Sequence, residues 1–173
     1  MRPTMKAVQL DAPGPPETLR VRDLPMPEPG EGWVRIRIEA FGLNRSELFL
    51  RLGLAEGVTF PRVPGIECAG IVDAAPGASF QPGQQVVAMM GDMGRTYDGG
   101  YAEYTVVPAS QIIPIATDLP WEVVGGSPRC FKPRTVPCTS GWRHARARQS
   151  SFAVERHRSG LRRPFSRGVR ASR

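Results

Sequence analysis

One carboxylate in this sequence is placed where a carboxylate needs a reason. In Phe60-Pro61-Arg62-Val63-Pro64-Gly65-Ile66-Glu67-Cys68-Ala69-Gly70, Glu67 stands among apolar neighbours just ahead of Ile71-Val72, in a run that reads as a half-buried strand. An acid there either pairs with hydrogen-bond donors beneath the sheet or works as an acid at a cleft. Cys68 beside it is either a small core residue or a nucleophile. Residues 1–124 contain no histidine to activate it, which favours the core reading. Asn44 and Glu47 have the spacing of an N-cap and its reciprocal acid, and Arg51 further along the same segment reads as a solvated helical arginine. His144 and His157 have no partners at metal-ligand spacing. Three cysteines, Cys68, Cys130 and Cys138, form no CxxC pair, which argues against both a disulfide framework and a structural zinc site.

These residues need a scaffold, and the patterning supplies one. Met5-Lys6-Ala7-Val8-Gln9-Leu10 alternates as a strand, Pro13-Gly14-Pro15-Pro16 turns it, and Leu19-Arg20-Val21-Arg22-Asp23 alternates again, which predicts a hairpin. After the stiff Pro25-Met26-Pro27-Glu28-Pro29-Gly30 connection, Val34 to Ala40 gives the clearest period-two pattern, with Val34, Ile36 and Ile38 on one face and Arg35, Arg37 and Glu39 on the other. The period changes at Asn44: Ser46 to Leu52 fits about two helical turns, and Gly53 ends them. Strands follow near Cys68–Ala75, Gln85–Met90, Tyr101–Val107 and Gln111–Ile115. The fold class this predicts is mainly β, a small barrel or sandwich with one or two short helices.

Together, Gly42-Leu43-Asn44-Arg45-Ser46-Glu47, Arg51-Leu52-Gly53, the Phe60–Gly70 stretch, Gln81-Pro82-Gly83-Gln84-Gln85-Val86-Val87 and Asp98-Gly99-Gly100-Tyr101-Ala102-Glu103-Tyr104 closely resemble the medium-chain dehydrogenase/reductase family, in its zinc-free quinone oxidoreductase branch. The resemblance runs from about Met5 to Val124 and implies the partly open, GroES-like β-barrel that forms the catalytic domain of these enzymes. It implies an NADP- or NAD-dependent oxidoreductase that passes hydride to a quinone or to an activated carbonyl or alkene. Zinc-dependent relatives carry a cysteine at the position of Asn44 and a histidine at that of Ile66, so two catalytic metal ligands are missing and no metal is expected. The resemblance further implies that Asn44 faces the nicotinamide and substrate and that Arg51 lies toward the cofactor cleft. It sets Gly91-Asp92-Met93-Gly94-Arg95, a flexible loop by composition, beside the substrate pocket. Tyr97 and Tyr101 are expected to pack.

Beyond Val124 the patterning stops. Residues 125–173 hold 13 Lys and Arg against one acid, Glu155, a net charge of +12 that leaves −5 for residues 1–124. Apolar residues are too sparse there to offset chain entropy, so a disordered, Arg-rich tail is expected. Read from one base upstream with permitted codons, Ser127–Cys138 can encode L-P-E-M-F-Q-T-A-Y-G-S-L and Ser150–Pro164 can encode V-L-V-R-G-G-T-S-S-V-G-L-A-A-A. Both resemble the family's entry into its nucleotide-binding domain, the second its first strand and glycine-rich loop. The expectation is an out-of-frame remnant of that domain after a one-base loss near Gly125-Gly126, and a chain that binds no cofactor and is inactive as it stands.

The alternative reading is a noncatalytic binding module whose basic tail contacts nucleic acid nonspecifically or an acidic partner, since phosphate neutralisation needs only positive charge. Docking of the barrel on a full-length relative is a third. No apolar run is long enough to span a bilayer and the N-terminus lacks a secretory core, so a cytoplasmic setting with no membrane partner is expected.

Overall fold

In a computed structural model, residues 3–126 and 128 are described. Seven strands and two short helices follow one another as β1 (Thr4–Leu10), β2 (Leu19–Pro25), β3 (Trp33–Ala40), α1 (Arg45–Arg51), β4 (Glu67–Ala74), β5 (Gln85–Met89), β6 (Tyr104–Pro108), β7 (Ile112–Pro114) and α2 (Trp121–Gly125). β1 and β2 form the expected antiparallel hairpin. The remaining strands make one antiparallel sheet in the order β6-β3-β4-β5-β7. The sheet curls into a partly open barrel, and β1 bridges to the segments that flank its strands, Ala7 to Ala102 and Leu10 to Arg62.

β3 explains the curl's interior. Its alternation buries Val34 and Ile36 completely, against Val72, Val86 and Val107 from its sheet partners, while Arg35 faces outward. There Arg35 Nε donates to Asp73 Oδ2 at 2.6 Å and Nη1 to the Pro27 carbonyl at 3.1 Å, which ties the proline connection to the sheet. Under the opposite wall, α2 buries Val124 against Ala69 and Val87. Its last residue, Gly125, is also buried, and Gly126 caps it. The expected disordered tail otherwise lies outside the described residues.

Two strand expectations are corrected. Tyr101 and Ala102 do not belong to β6, which begins at Tyr104: the Tyr101 carbonyl accepts from the Val8 N–H at 2.8 Å, so this segment crosses to the hairpin instead of joining β3. β7 is shorter than expected because Ala109–Gln111 closes into a one-turn 3-10 helix before it. No helix among the described residues is long and apolar enough to cross a membrane.

Candidate functional site

The site is built where α1 meets the corner at Pro64-Gly65-Ile66. Asn44, with φ −122° and ψ 154°, starts the helix, and Glu47 closes the capping box by accepting the Asn44 N–H at 2.7 Å through Oε2. The other oxygen of Glu47 reaches away from the helix and accepts the Ile66 N–H at 3.1 Å. One carboxylate therefore caps α1 and straps it to the corner. Gly65 makes that corner at φ +109°, and a Cβ there would lie 2.6 Å from the Gly100 nitrogen, so only glycine fits.

Two acids end up close together in this wall. Glu67 is 3% exposed and its Oε1 accepts from Asn44 Nδ2 at 2.7 Å. Of the two readings of Glu67, the geometry shows the hydrogen-bonded, buried one. Burial pushes the Glu47 carboxyl above its ordinary value of 4.5, with the negative charge of Glu67 adding to the shift and the backbone hydrogen bonds opposing it. Tyr101 stacks on Phe41 with centroids 4.7 Å apart, and its hydroxyl is raised by burial and by both acids. Buried Cys68 is pushed up to about 12, a thiol and not a thiolate at neutral pH.

α1 turns Leu50 inward but leaves Leu48, Phe49 and Leu52 exposed, with Leu43 and Leu54 beside them. At this apolar face lies a cavity of about 330 Å³, a size typical of small-ligand sites. Its walls include Phe49, Leu54 and Ile66, and its polar side chains are Ser46, Glu47, Glu56 and Arg95. Ser46 Oγ is buried and makes no hydrogen bond among the described residues. A second cleft, of about 460 Å³, lies between the hairpin and the sheet. Its one charged side chain, Asp98, is already engaged by Arg62 Nη1 and the Val63 N–H, each at 3.0 Å, so we place the site at the first.

The two sequence-predicted cofactor residues, Asn44 and Arg51, bracket α1, and neither lines the cavity. Asn44 is turned toward Glu67, and Arg51 Nη1 donates to the Gly14 carbonyl while the Gly14 N–H donates back to the Arg51 carbonyl at 2.8 Å, clamping the helix end to the β1–β2 turn. Between them sit the residues that sequence reasoning missed: Ser46, and Glu47 in any role beyond capping. The Gly91–Arg95 loop, expected beside a substrate pocket, contributes Gly94 and Arg95 to the lining of this cavity. Its composition suggested flexibility; instead the Gly91 carbonyl accepts from the Tyr97 hydroxyl and from Gln111 Nε2, both at 2.8 Å, and Met93 is buried in the core. Among the described residues, no group of three His, Cys, Asp or Glu side chains could hold a metal ion.

The model of the alcohol dehydrogenase GroES-like domain matches residues 30–117. A chloroplastic quinone-oxidoreductase QR1 of Triphysaria versicolor is 38% identical over 108 residues, covering 59% of this chain and 32% of that protein. Among solved structures, the human synaptic vesicle membrane protein VAT-1 homolog-like protein superposes with a TM-score of 0.62 at 32% identity, covering 69% of this chain and 38% of that one. A cobalt- and zinc-bound thermostable alcohol dehydrogenase from Pyrobaculum aerophilum superposes with a TM-score of 0.64 at 28% identity, covering 73% of this chain and 45% of that one. The chain spans about a third of the length of the curated relatives it matches.

Proposed function

We propose, from the premise that this chain belongs to the alcohol dehydrogenase GroES-like domain family of the medium-chain dehydrogenase/reductases, that it is the substrate-side domain of a zinc-independent, NAD(P)H-dependent oxidoreductase acting on quinones or activated carbonyls and alkenes. The observation that carries this reading is the apolar cavity, whose lining includes Ser46, a residue whose Oγ is buried and makes no hydrogen bond among the described residues. A ligand oxygen reaches that hydroxyl once the Ser46 side chain turns out of its buried position, and the hydroxyl then gives up no other hydrogen bond among the described residues to bind it.

Glu47 is a positioning residue in this scheme. Both its oxygens accept backbone N–H groups, from Asn44 at the helix start and from Ile66 at the corner, so it holds the Ser46-bearing helix against the Ile66 wall. Phe49, Leu54 and Ile66 supply the cavity's apolar lining. We assign no side chain as general acid.

Zinc does not fit the residues present: Asn44 offers an amide already donating to Glu67, and Ile66 offers hydrocarbon. The nicotinamide cofactor, when bound, supplies the hydride. Asn44 and Arg51 are the proposed residues on its side. The sequence has no G-x-G-x-x-G to cradle a pyrophosphate, so we propose that the 173-residue polypeptide alone turns nothing over, and that residues 125–173 are an out-of-frame reading of such a cradle. Genomic sequence across codons 124–127 with no displaced base would remove the frame proposal. Purified chain mixed with NADH or NADPH and menadione should oxidise no nucleotide above background. Sustained, enzyme-dependent oxidation would refute the inactivity and leave the cavity assignment standing.

A further inference from the structure

We infer that Arg95 makes this cavity selective for ligands that carry an anionic oxygen group, a carboxylate above all, on an apolar body. The inference rests on the reading of the cavity as the substrate side of the site. Arg95 lines the cavity and is exposed, so it stands at the opening. Its Nη2 donates to the Glu56 carbonyl at 2.7 Å, spanning the mouth from the 91–97 loop to the end of the α1 segment. Among the described residues no carboxylate pairs with it. A guanidinium carries five N–H donors in a planar fork that matches a carboxylate, and one contact to a carbonyl leaves most of that fork open.

The loop that carries Arg95 is anchored on both sides of it. Met93 is buried in the core, and Gly94, at φ +75°, lies so close to the Gly65 backbone that a Cβ would come within 2.8 Å of the Gly65 oxygen. The Tyr97 and Gln111 side chains hold the Gly91 carbonyl from the other face. The cation is thus presented by a fixed frame, which lowers the ordering cost of using it. Below it the walls are apolar. Of the two acids lining the cavity, Glu47 has both oxygens turned to backbone donors and is raised toward its neutral form by burial, and Glu56 is exposed to solvent. An entering anion therefore meets at the rim a cation that no carboxylate among the described residues pairs with, while Glu47 and Glu56 are the opposing groups in the lining.

The test is a calorimetric titration of the full chain with cinnamate and with cinnamamide, which share shape and differ in charge. Wild type is expected to bind cinnamate up to about fivefold more tightly, the range of a solvent-exposed ion pair. Arg95→Gln, which keeps a donor for the Glu56 carbonyl but no charge, should bring the two ligands to parity, and Arg95→Lys should retain part of the preference. Equal binding by wild type, or a preference that survives Arg95→Gln, overturns the inference while the cavity reading stands. Failure of both ligands to bind wild type overturns both.

Discussion

Replacing Glu47 tests the strap between α1 and the Pro64–Ile66 corner. Glu47→Ala leaves the Ile66 N–H without its acceptor in a residue only 8% exposed, and an orphaned buried donor costs about 1–3 kcal/mol. The Asn44 N–H also loses its acceptor, but Asn44 is half-buried and water can replace the carboxylate, so that loss with the helix-dipole contribution is worth about 1 kcal/mol. The expected total is about 2–4 kcal/mol, a large share of the roughly 5–15 kcal/mol of a typical domain. Urea denaturation followed by tryptophan fluorescence measures it, with Glu17→Ala at an exposed acid expected within about 0.5 kcal/mol of wild type. The pH dependence supplies a second readout. Burial raises the Glu47 carboxyl above 4.5, so the folded state holds its proton more tightly than the unfolded chain does. That contribution is complete below pH 4.5 and is lost as pH rises through the folded value. Wild type should therefore lose stability relative to Glu47→Gln as pH is raised from 4.5 upward. A wild type that gains on Glu47→Gln over that window, or a Glu47→Ala variant as stable as wild type, refutes the reasoning.

Gly65→Ala combines a left-handed φ with a backbone collision and is expected to cost about 3 kcal/mol or more, read from the same urea midpoint. Arg51→Ala should lower stability by about 1 kcal/mol through the lost Gly14 clamp and leave ligand binding to the cavity unchanged within twofold, as titration of both variants and wild type will show. With its thiol at about 12, Cys68 holds on the order of one thiolate in ten thousand at pH 8. Peptide mapping after iodoacetamide should find Cys68 unmodified in the native chain and modified in urea.

Much of the scaffold was legible because it is locally encoded. The alternation of Val34, Ile36 and Ile38 placed β3, the proline–glycine turn marked the hairpin, and the Asn44–Glu47 spacing announced a helix start that the structure contains. What escaped is set by contacts distant in sequence. The Arg51 clamp spans 37 residues and the Glu47–Ile66 strap 19, and no local pattern reports either. Tyr101 continues the alternation toward β6 but pairs with Val8 because the Gly65 corner draws the preceding glycines against it. Ser46 looked like an ordinary first-turn residue. Only the fold shows that its hydroxyl is buried beside a cavity without a hydrogen bond.

The most direct measurement is the titration of the full chain with menadione, in the absence of nucleotide, for wild type, Ser46→Ala and Leu54→Trp. Leu54 is 66% exposed at the cavity, so a tryptophan there should obstruct it without disturbing the core. The account predicts saturable binding by wild type, about 2- to 12-fold weaker binding by Ser46→Ala for one lost hydrogen bond, and none by Leu54→Trp. Absence of binding by wild type, or a Leu54→Trp variant that binds as tightly, would contradict it.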